Sequence, residues 1–475
     1  MAEETLRDVT AGLAGLTLQG VSKIQASLTE EGKVPEYLIL GFNSEDPQIQ
    51  KASVIQIRRI LGNSPSEAAQ PVIDTGLVPA IVSLLDSEDT RLQCEAAWIV
   101  TNIASGTTQQ TEQVIDAGAI PRLIILSASP HADVADHAVW ALGNVLGDCA
   151  RIRDRVEEEG GIAALIKLVD RREPSFEKVQ KTAMWALFCY LNPLPSRKLP
   201  ITRIKHVLLC MARYIQETPV NKANMESIEY AVQSLDRICG HDLQRTDFIA
   251  TGVVPRLVKL LADSSSSTTL QKQVLKCLVY VVSGSDDDTD VAVDAGLLPG
   301  LLVPLETKNP DLCRLALRTA SNVAAGSLSQ VYALLDSGLL KPVVCILMDD
   351  QESTRCRREA CWTISTLTKK VPGDSRVAQA FIEGCCVEAL SAALLISDLK
   401  VKELAVSGIT NVLEWKPPQG SGADESPLTI LRSASGPQNL RAVRDSRDVH
   451  DKMIKKDCQG LLTRYFPDCS RRARV

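Results

Sequence analysis

Apolar residues recur along this chain at helical spacing, and the alternation that would mark strands is absent. Short runs such as VPRLVKLL (Val254 to Leu261) carry one apolar face, and each is followed by a polar turn and a longer amphipathic stretch such as CEAAWIVTNIASG (Cys94 to Gly106). Before each short run stands a glycine among small, acidic or branched residues. The strings are DTGLVP at Gly76, DAGAIP at Gly118, ATGVVP at Gly252, DAGLLP at Gly296 and DSGLLK at Gly338, with EEGGIA at Gly160 and IEGCCV at Gly384 as looser copies. The spacings are 42 from Gly76 to Gly118, 42 to Gly160, 92 to Gly252, 44 to Gly296, 42 to Gly338 and 46 to Gly384. The 92-residue gap reads as two units whose intermediate glycine is lost near the proline-rich stretch 192–200.

A unit of this length, with a glycine turn, a short helix and a longer one, matches armadillo or HEAT repeats, which bury their apolar faces only against a neighbouring unit. The expected fold is all-α, a right-handed armadillo-repeat superhelix (solenoid) of about ten repeats. Its bounds are residues 35–466, with an acidic non-repeat segment at 1–34 and a basic tail at 467–475.

In such a solenoid the long third helices stack side by side and line the concave face. Here the first of them read AAWIVTN (Trp98, Asn102), AVWALGN (Trp140, Asn144) and AMWALFC (Trp185, Cys189). Residues four apart share a helix face, so an indole and a carboxamide stand together and repeat as rungs of a ladder. An extended peptide laid across it offers its backbone to the Asn amides, which both donate and accept. Its Lys and Arg side chains fit between indoles, where the stem packs on the rings and the cation gains about 0.5–2 kcal/mol. A lone Trp on such a helix would read as core; three at equivalent repeat positions read as a surface array.

The run AAWIVTNIASGTTQQTEQVIDAGAIPRLI, followed by HAVWALGNVLGDCARIRDRV, resembles the second and third armadillo repeats of importin α, the adaptor family that recognises nuclear localisation signals. The resemblance implies a major peptide site whose essential lysine is held by a Gly carbonyl, a Thr hydroxyl and an Asp carboxylate. The matching positions are Gly106, Thr111 and Asp148. Three acceptors with one countercharge suit an ammonium with three donors. The implied minor site, around the sixth to eighth repeats, keeps only Val282, Thr289, Asn322, Glu359 and Trp362, and Arg318 stands where an indole would form a slot. Continued by register, the rungs become Val232/Asp236, Lys276/Tyr280, Arg318/Asn322, Trp362/Thr366 and Ser407/Asn411. A cation in place of an aromatic opposes lysine capture, so this second site is expected to be weakened.

The family's basic N-terminal segment, which binds importin β, has no counterpart in residues 1–33, where Arg7, Lys23 and Lys33 face Glu3, Glu4, Asp8, Glu30 and Glu31. Importin β is therefore not expected as a partner of this segment. The stretch Val449 to Asp468 resembles the family's capping repeat, where an export receptor docks, but it is followed by a cluster of Arg471, Arg472 and Arg474. Partners implied are cargo proteins with lysine- and arginine-rich signals, and the localisation implied is cytoplasm and nucleus.

Composition narrows the alternatives. A net charge of -6 lacks the basic excess of a nucleic-acid-binding surface. No stretch of eighteen apolar residues occurs and no charged start precedes a long apolar run, which argues against a membrane span or secretion and for an intracellular protein. The 14 cysteines are scattered, and neither Cys385 with Cys386 nor Cys356 with Cys361 has paired zinc spacing, so no metal or cofactor is expected and the thiols read as small buried side chains. The histidines His131, His137, His206, His241 and His450 lack acidic or thiol partners at catalytic spacing, and no phosphate-cradling loop is present, so no enzyme activity is expected. A scaffold or peptide chaperone of the catenin type, binding other partners, is the competing reading.

Overall fold

The computed structural model describes residues 11–12, 14–15, 27–192, 201–239, 245–307, 309–415, 426–446 and 451–470. Most of the acidic segment expected at 1–34, and Arg471, Arg472 and Arg474, lie outside the described residues, as does 193–200.

All regular structure among the described residues is helical. The chain divides into two compact units, residues 1–241 and 242–475. In the first, the long helices are Pro47–Asn63, Thr90–Ile103, Ala132–Gly147, Glu177–Tyr190 and Met225–Cys239, each packed on the next. In the second they are Thr268–Val282, Pro310–Ala325, Thr354–Thr368, Leu399–Glu414 and Lys452–Tyr465, stacked in the same manner. Shorter helices, among them Thr108–Asp116 and Ala119–Ser127, cover the outer side of these rows.

Local sequence sets where the long helices begin. Asp89 accepts from the Arg91 amide at 2.8 Å, Ser267 from the Leu270 amide at 3.0 Å and Asp398 from the Val401 amide at 3.0 Å. Each cap satisfies an amide the helix itself leaves unbonded, at a gain of about 0.5–2 kcal/mol. The repeating glycines turn the chain between the two shorter helices of a unit: Gly118 has φ 87° and Gly160 φ 87°, left-handed values that β-carbons resist. The last copy departs from this rule, because Gly384 has φ -81° and its neighbour Cys385 takes the left-handed position with φ 57°.

Packing follows the helical pattern. Ile99, Val100 and Ile103 on one long helix, and Val139, Leu142 and Val145 on the next, are fully buried. A buried side chain of this size contributes about 1.5–3 kcal/mol, but only when a neighbouring helix covers it. That dependence ties each repeat to the next and holds the long helices in register.

The 92-residue gap contains Ile201–Glu217, a 17-residue helix packed on Gly161–Val169 and on Met225–Cys239. Residues 193–200, near which the intermediate glycine of this gap is lost, lie outside the described residues.

Candidate peptide-binding ladder

The Trp98, Trp140 and Trp185 helices lie side by side, and their indoles differ in what covers them. Trp98 is half-buried. Arg58, from the preceding long helix, places its guanidinium carbon 4.4 Å from the Trp98 ring centroid, and His137, from the following one, stacks on it at 5.0 Å and 21°. Buried Glu95 fixes the arginine through Arg58 Nε at 2.7 Å and also binds Arg91 Nε at 2.9 Å. Burial pushes His137 below its ordinary range, against an opposing pull from Asp136, so its ring is neutral at neutral pH.

Trp140 is the open rung, with 40% of its surface exposed. Trp185 sits against Gly143, where a β-carbon would overlap the six-membered part of its ring. Between these indoles and Tyr230 runs a groove of about 360 Å³, with Asp136 and Glu226 on its walls. Asp136 is buried, accepts from Thr182 Oγ1 at 2.6 Å and pairs with Lys178 at 2.8 Å.

The carboxamides fill two roles. Asn144 Nδ2 donates to the Thr101 carbonyl at 2.9 Å and so ties two ladder helices together. Asn102 Nδ2 is buried with no hydrogen-bond partner, a donor whose lack of an acceptor costs about 1–3 kcal/mol.

Gly106, Thr111 and Asp148 are brought to neighbouring turns, but not as three equal surface groups. Thr111 is completely buried, and its hydroxyl donates to the Thr107 carbonyl at 3.3 Å. The side chain that reaches Asp148 is Thr108, whose Oγ1 donates to Asp148 Oδ1 at 2.8 Å. Thr108 escaped the sequence reading because the resemblance pointed to Thr111; its place beside Asp148, 40 residues away, is set by stacking of adjacent repeats. Gly106 is exposed, and a β-carbon there would collide with Gln110 Oε1, which accepts from the Thr107 amide at 3.0 Å in a capping box.

The second unit repeats this plan with different side chains. Thr289 is buried and donates to the Ser285 carbonyl at 3.1 Å, and Val282 is buried as well. Asn322 is half-buried and Arg318 exposed on the same helix. Burial raises Glu359 above the ordinary carboxylate range, with Arg318 pulling it back. Trp362 is 44% exposed, and Lys400 Nζ sits 5.6 Å from its ring. In Met225–Cys239, Val232 is fully buried, so the rung Val232/Asp236 is not on the open face; Glu226, Tyr230 and Gln233 form the accessible stripe.

Stacked capped helices, glycine turns and a ladder of aromatic and amide rungs define an all-α armadillo solenoid. The Armadillo/beta-catenin-like repeat family model matches residues 65–105 and 107–147. A crystal structure of an engineered protein has the same fold, with a TM-score of 0.69, 24% identity and coverage of 90% of this chain and 98% of that one. Among natural relatives, importin subunit alpha-1a of Oryza sativa subsp. japonica is 31% identical over 65% of this chain and 57% of its own length. Importin subunit alpha-4 of Arabidopsis thaliana is 29% identical over 91% of this chain and 78% of its own. Importin subunit alpha-3 of Caenorhabditis elegans reaches 41% identity over 73 residues. The chain is similar to importin α subunits and carries armadillo repeats over residues 65–147. It spans about half the length of the two rice importin subunits it matches, 57% and 51%.

Proposed function

We propose that this protein is a nuclear-import adaptor that binds lysine- and arginine-rich nuclear localisation signals on its ladder, mainly at the N-terminal site. The relatives named as importin subunits alpha support the class of function. The observation that carries the site is the open indole of Trp140, 40% exposed, in a row with the Asn102 and Asn144 rungs. An extended peptide lies across these rungs. Its cationic side chains then meet the indole faces, and the Asp148 carboxylate, held by Thr108, offers a countercharge at the end of the Trp140 helix.

Trp98 modifies this reading, because Arg58 and His137 already flank its ring. The Trp140–Trp185 groove then carries the stronger capture of a side chain, with Trp98 acting through the Asn102 rung. Anisotropy of a fluorescent monopartite lysine-rich peptide, titrated with the intact chain, tests the proposal. Saturable binding that weakens with salt supports it. No binding to the basic peptide assigns the ladder to a scaffold or chaperone role with other ligands.

A further inference from the structure

We infer that Cys313, Cys356 and Glu352 form a binding site for a soft divalent metal ion, zinc by chemistry, that clamps two adjacent repeats of the second unit. Cys313 lies in the first turn of Pro310–Ala325 and Cys356 in the first turn of Thr354–Thr368, helices that pack directly on each other. The two thiol sulfurs and a Glu352 carboxylate oxygen all lie within 4.8 Å of one another. Both cysteines are buried and Glu352, in the turn before the second helix, is half-buried.

The donor chemistry selects the ion. Two thiolates favour zinc over magnesium or calcium, which take oxygen ligands. Tetrahedral zinc, with Zn–S of about 2.3 Å and Zn–O of about 2.1 Å, holds its ligand atoms about 3.5–3.8 Å apart, so modest side-chain rotation closes the set. Cys356 Sγ now donates to the Pro310 carbonyl at 3.3 Å; on metal binding both thiols release their protons and that hydrogen bond gives way to the metal bond. Space for a fourth ligand exists, because a cavity of about 430 Å³ is lined by Cys313, Glu352 and Asp349. Water or the Asp349 carboxylate completes four-coordination from that side. The ligand set carries three negative charges against two positive ones, and Arg314, whose field reaches Cys356, offsets the excess.

The thiols belong to successive repeats at nearly the same helical position, so one ion joins two helices that otherwise meet through apolar packing and hydrogen bonds such as Thr363 Oγ1 to the Leu317 carbonyl at 3.2 Å. The site therefore stiffens the helix pair that carries Asn322 and Trp362, independently of whether those rungs bind peptide.

Cobalt reports such a site directly. The full chain, kept reduced and stripped of metal with a chelator, is titrated with Co²⁺. Expected is a near-ultraviolet thiolate-to-cobalt charge-transfer band that saturates at one equivalent and is displaced by Zn²⁺, with a rise in melting temperature when Zn²⁺ is added. Cys313→Ser and Cys356→Ser should each remove the band, and Glu352→Gln, in a half-exposed turn where folding is not at stake, should weaken Co²⁺ binding at least about tenfold. Cys385→Ser, which alters the adjacent Cys385–Cys386 pair elsewhere in the unit, should leave it unchanged. Absence of the band, its loss in Cys385→Ser, or unchanged affinity in Glu352→Gln overturns the site. So does formation of a Cys313–Cys356 disulfide in a chain that binds no Co²⁺ when reduced.

Discussion

The two units use the same helix plan to present opposite surfaces. In the first, successive ladder helices offer Trp98, Trp140 and Trp185, and Gly143 leaves room for the Trp185 ring to settle on its neighbour's backbone. In the second, the corresponding row is Lys276, Arg318 and Trp362, and Ser321, three residues after Arg318 as Gly143 is after Trp140, carries a side chain. Trp362 stands 44% exposed under a lysine of its own chain, whereas Trp185 is half-buried. The comparison teaches that the solenoid fixes where a rung stands, while the side chains on each helix set the chemistry it presents.

The largest test of this difference is a charge reversal. Asp148→Lys places an ammonium beside Thr108 at the end of the open Trp140 helix, and like charges facing each other at an interface cost several kcal/mol. Affinity for a monopartite basic peptide should fall by at least about a hundredfold, read by fluorescence anisotropy. Unchanged affinity would move the principal site away from the first unit.

Removing one aromatic from each unit comes next. Trp140→Ala should weaken the peptide by roughly two- to thirtyfold, the equivalent of a cation–π contact of about 0.5–2 kcal/mol. Trp362→Ala should change it less than about twofold, since Lys400 already lies over that ring and Arg318 repels a second cation. Equal losses by calorimetry would show that both units capture lysine.

These contrasts mark how far the sequence could be read. Helical periodicity and the glycine spacing exposed the repeats because each unit must solve the same packing problem, and the Trp/Asn pairs stood out against that background. Register alone could not tell that Thr111, Thr289 and Val282 face inward, since burial depends on the neighbouring repeat. The rung at Val232 slipped for a related reason: the glycine that would have fixed its phase is missing from the 92-residue gap. Cys313 and Cys356 escaped a search for local ligand spacing because they are one repeat apart, a separation that only stacking turns into proximity.

A smaller effect should follow from the glycine beneath Trp185. Gly143→Ala forces the indole out of its seat, an overpacking that typically costs about 1–3 kcal/mol. Urea unfolding should register that loss in the first unit, and peptide affinity should drop by about two- to tenfold as the groove beside Trp140 narrows. Full stability with full affinity would mean that the Trp185 position is not a wall of the binding groove.

The finest distinction is in how the units respond to pH, because burial has pushed one titrating group in each toward its neutral form. His137 in the first unit is lowered from its ordinary value of 6.5 mainly by desolvation, with Lys178 adding to the shift and Asp136, Glu95 and Asp133 opposing it. Its unfolded form binds a proton more readily than its folded form, so the contribution of a neutral His137 is complete above about pH 6.5 and declines as pH falls toward the folded value. Glu359 in the second unit is raised from 4.5 by desolvation, with Arg318, Arg314 and Arg358 opposing. Here the folded form holds its proton longer, so stability is greatest below about pH 4.5 and declines as pH rises through the folded value. His137→Gln should therefore flatten the fall in stability that sets in as pH drops below about 6.5, and Glu359→Gln should remove a decline that starts near pH 4.5. Denaturant unfolding of both variants against the parent chain at stepped pH reads the two slopes. A His137→Gln profile that still matches the parent would show that the ring stacked on Trp98 titrates as freely as one in solvent, and that the closed state of this rung has no electrostatic component.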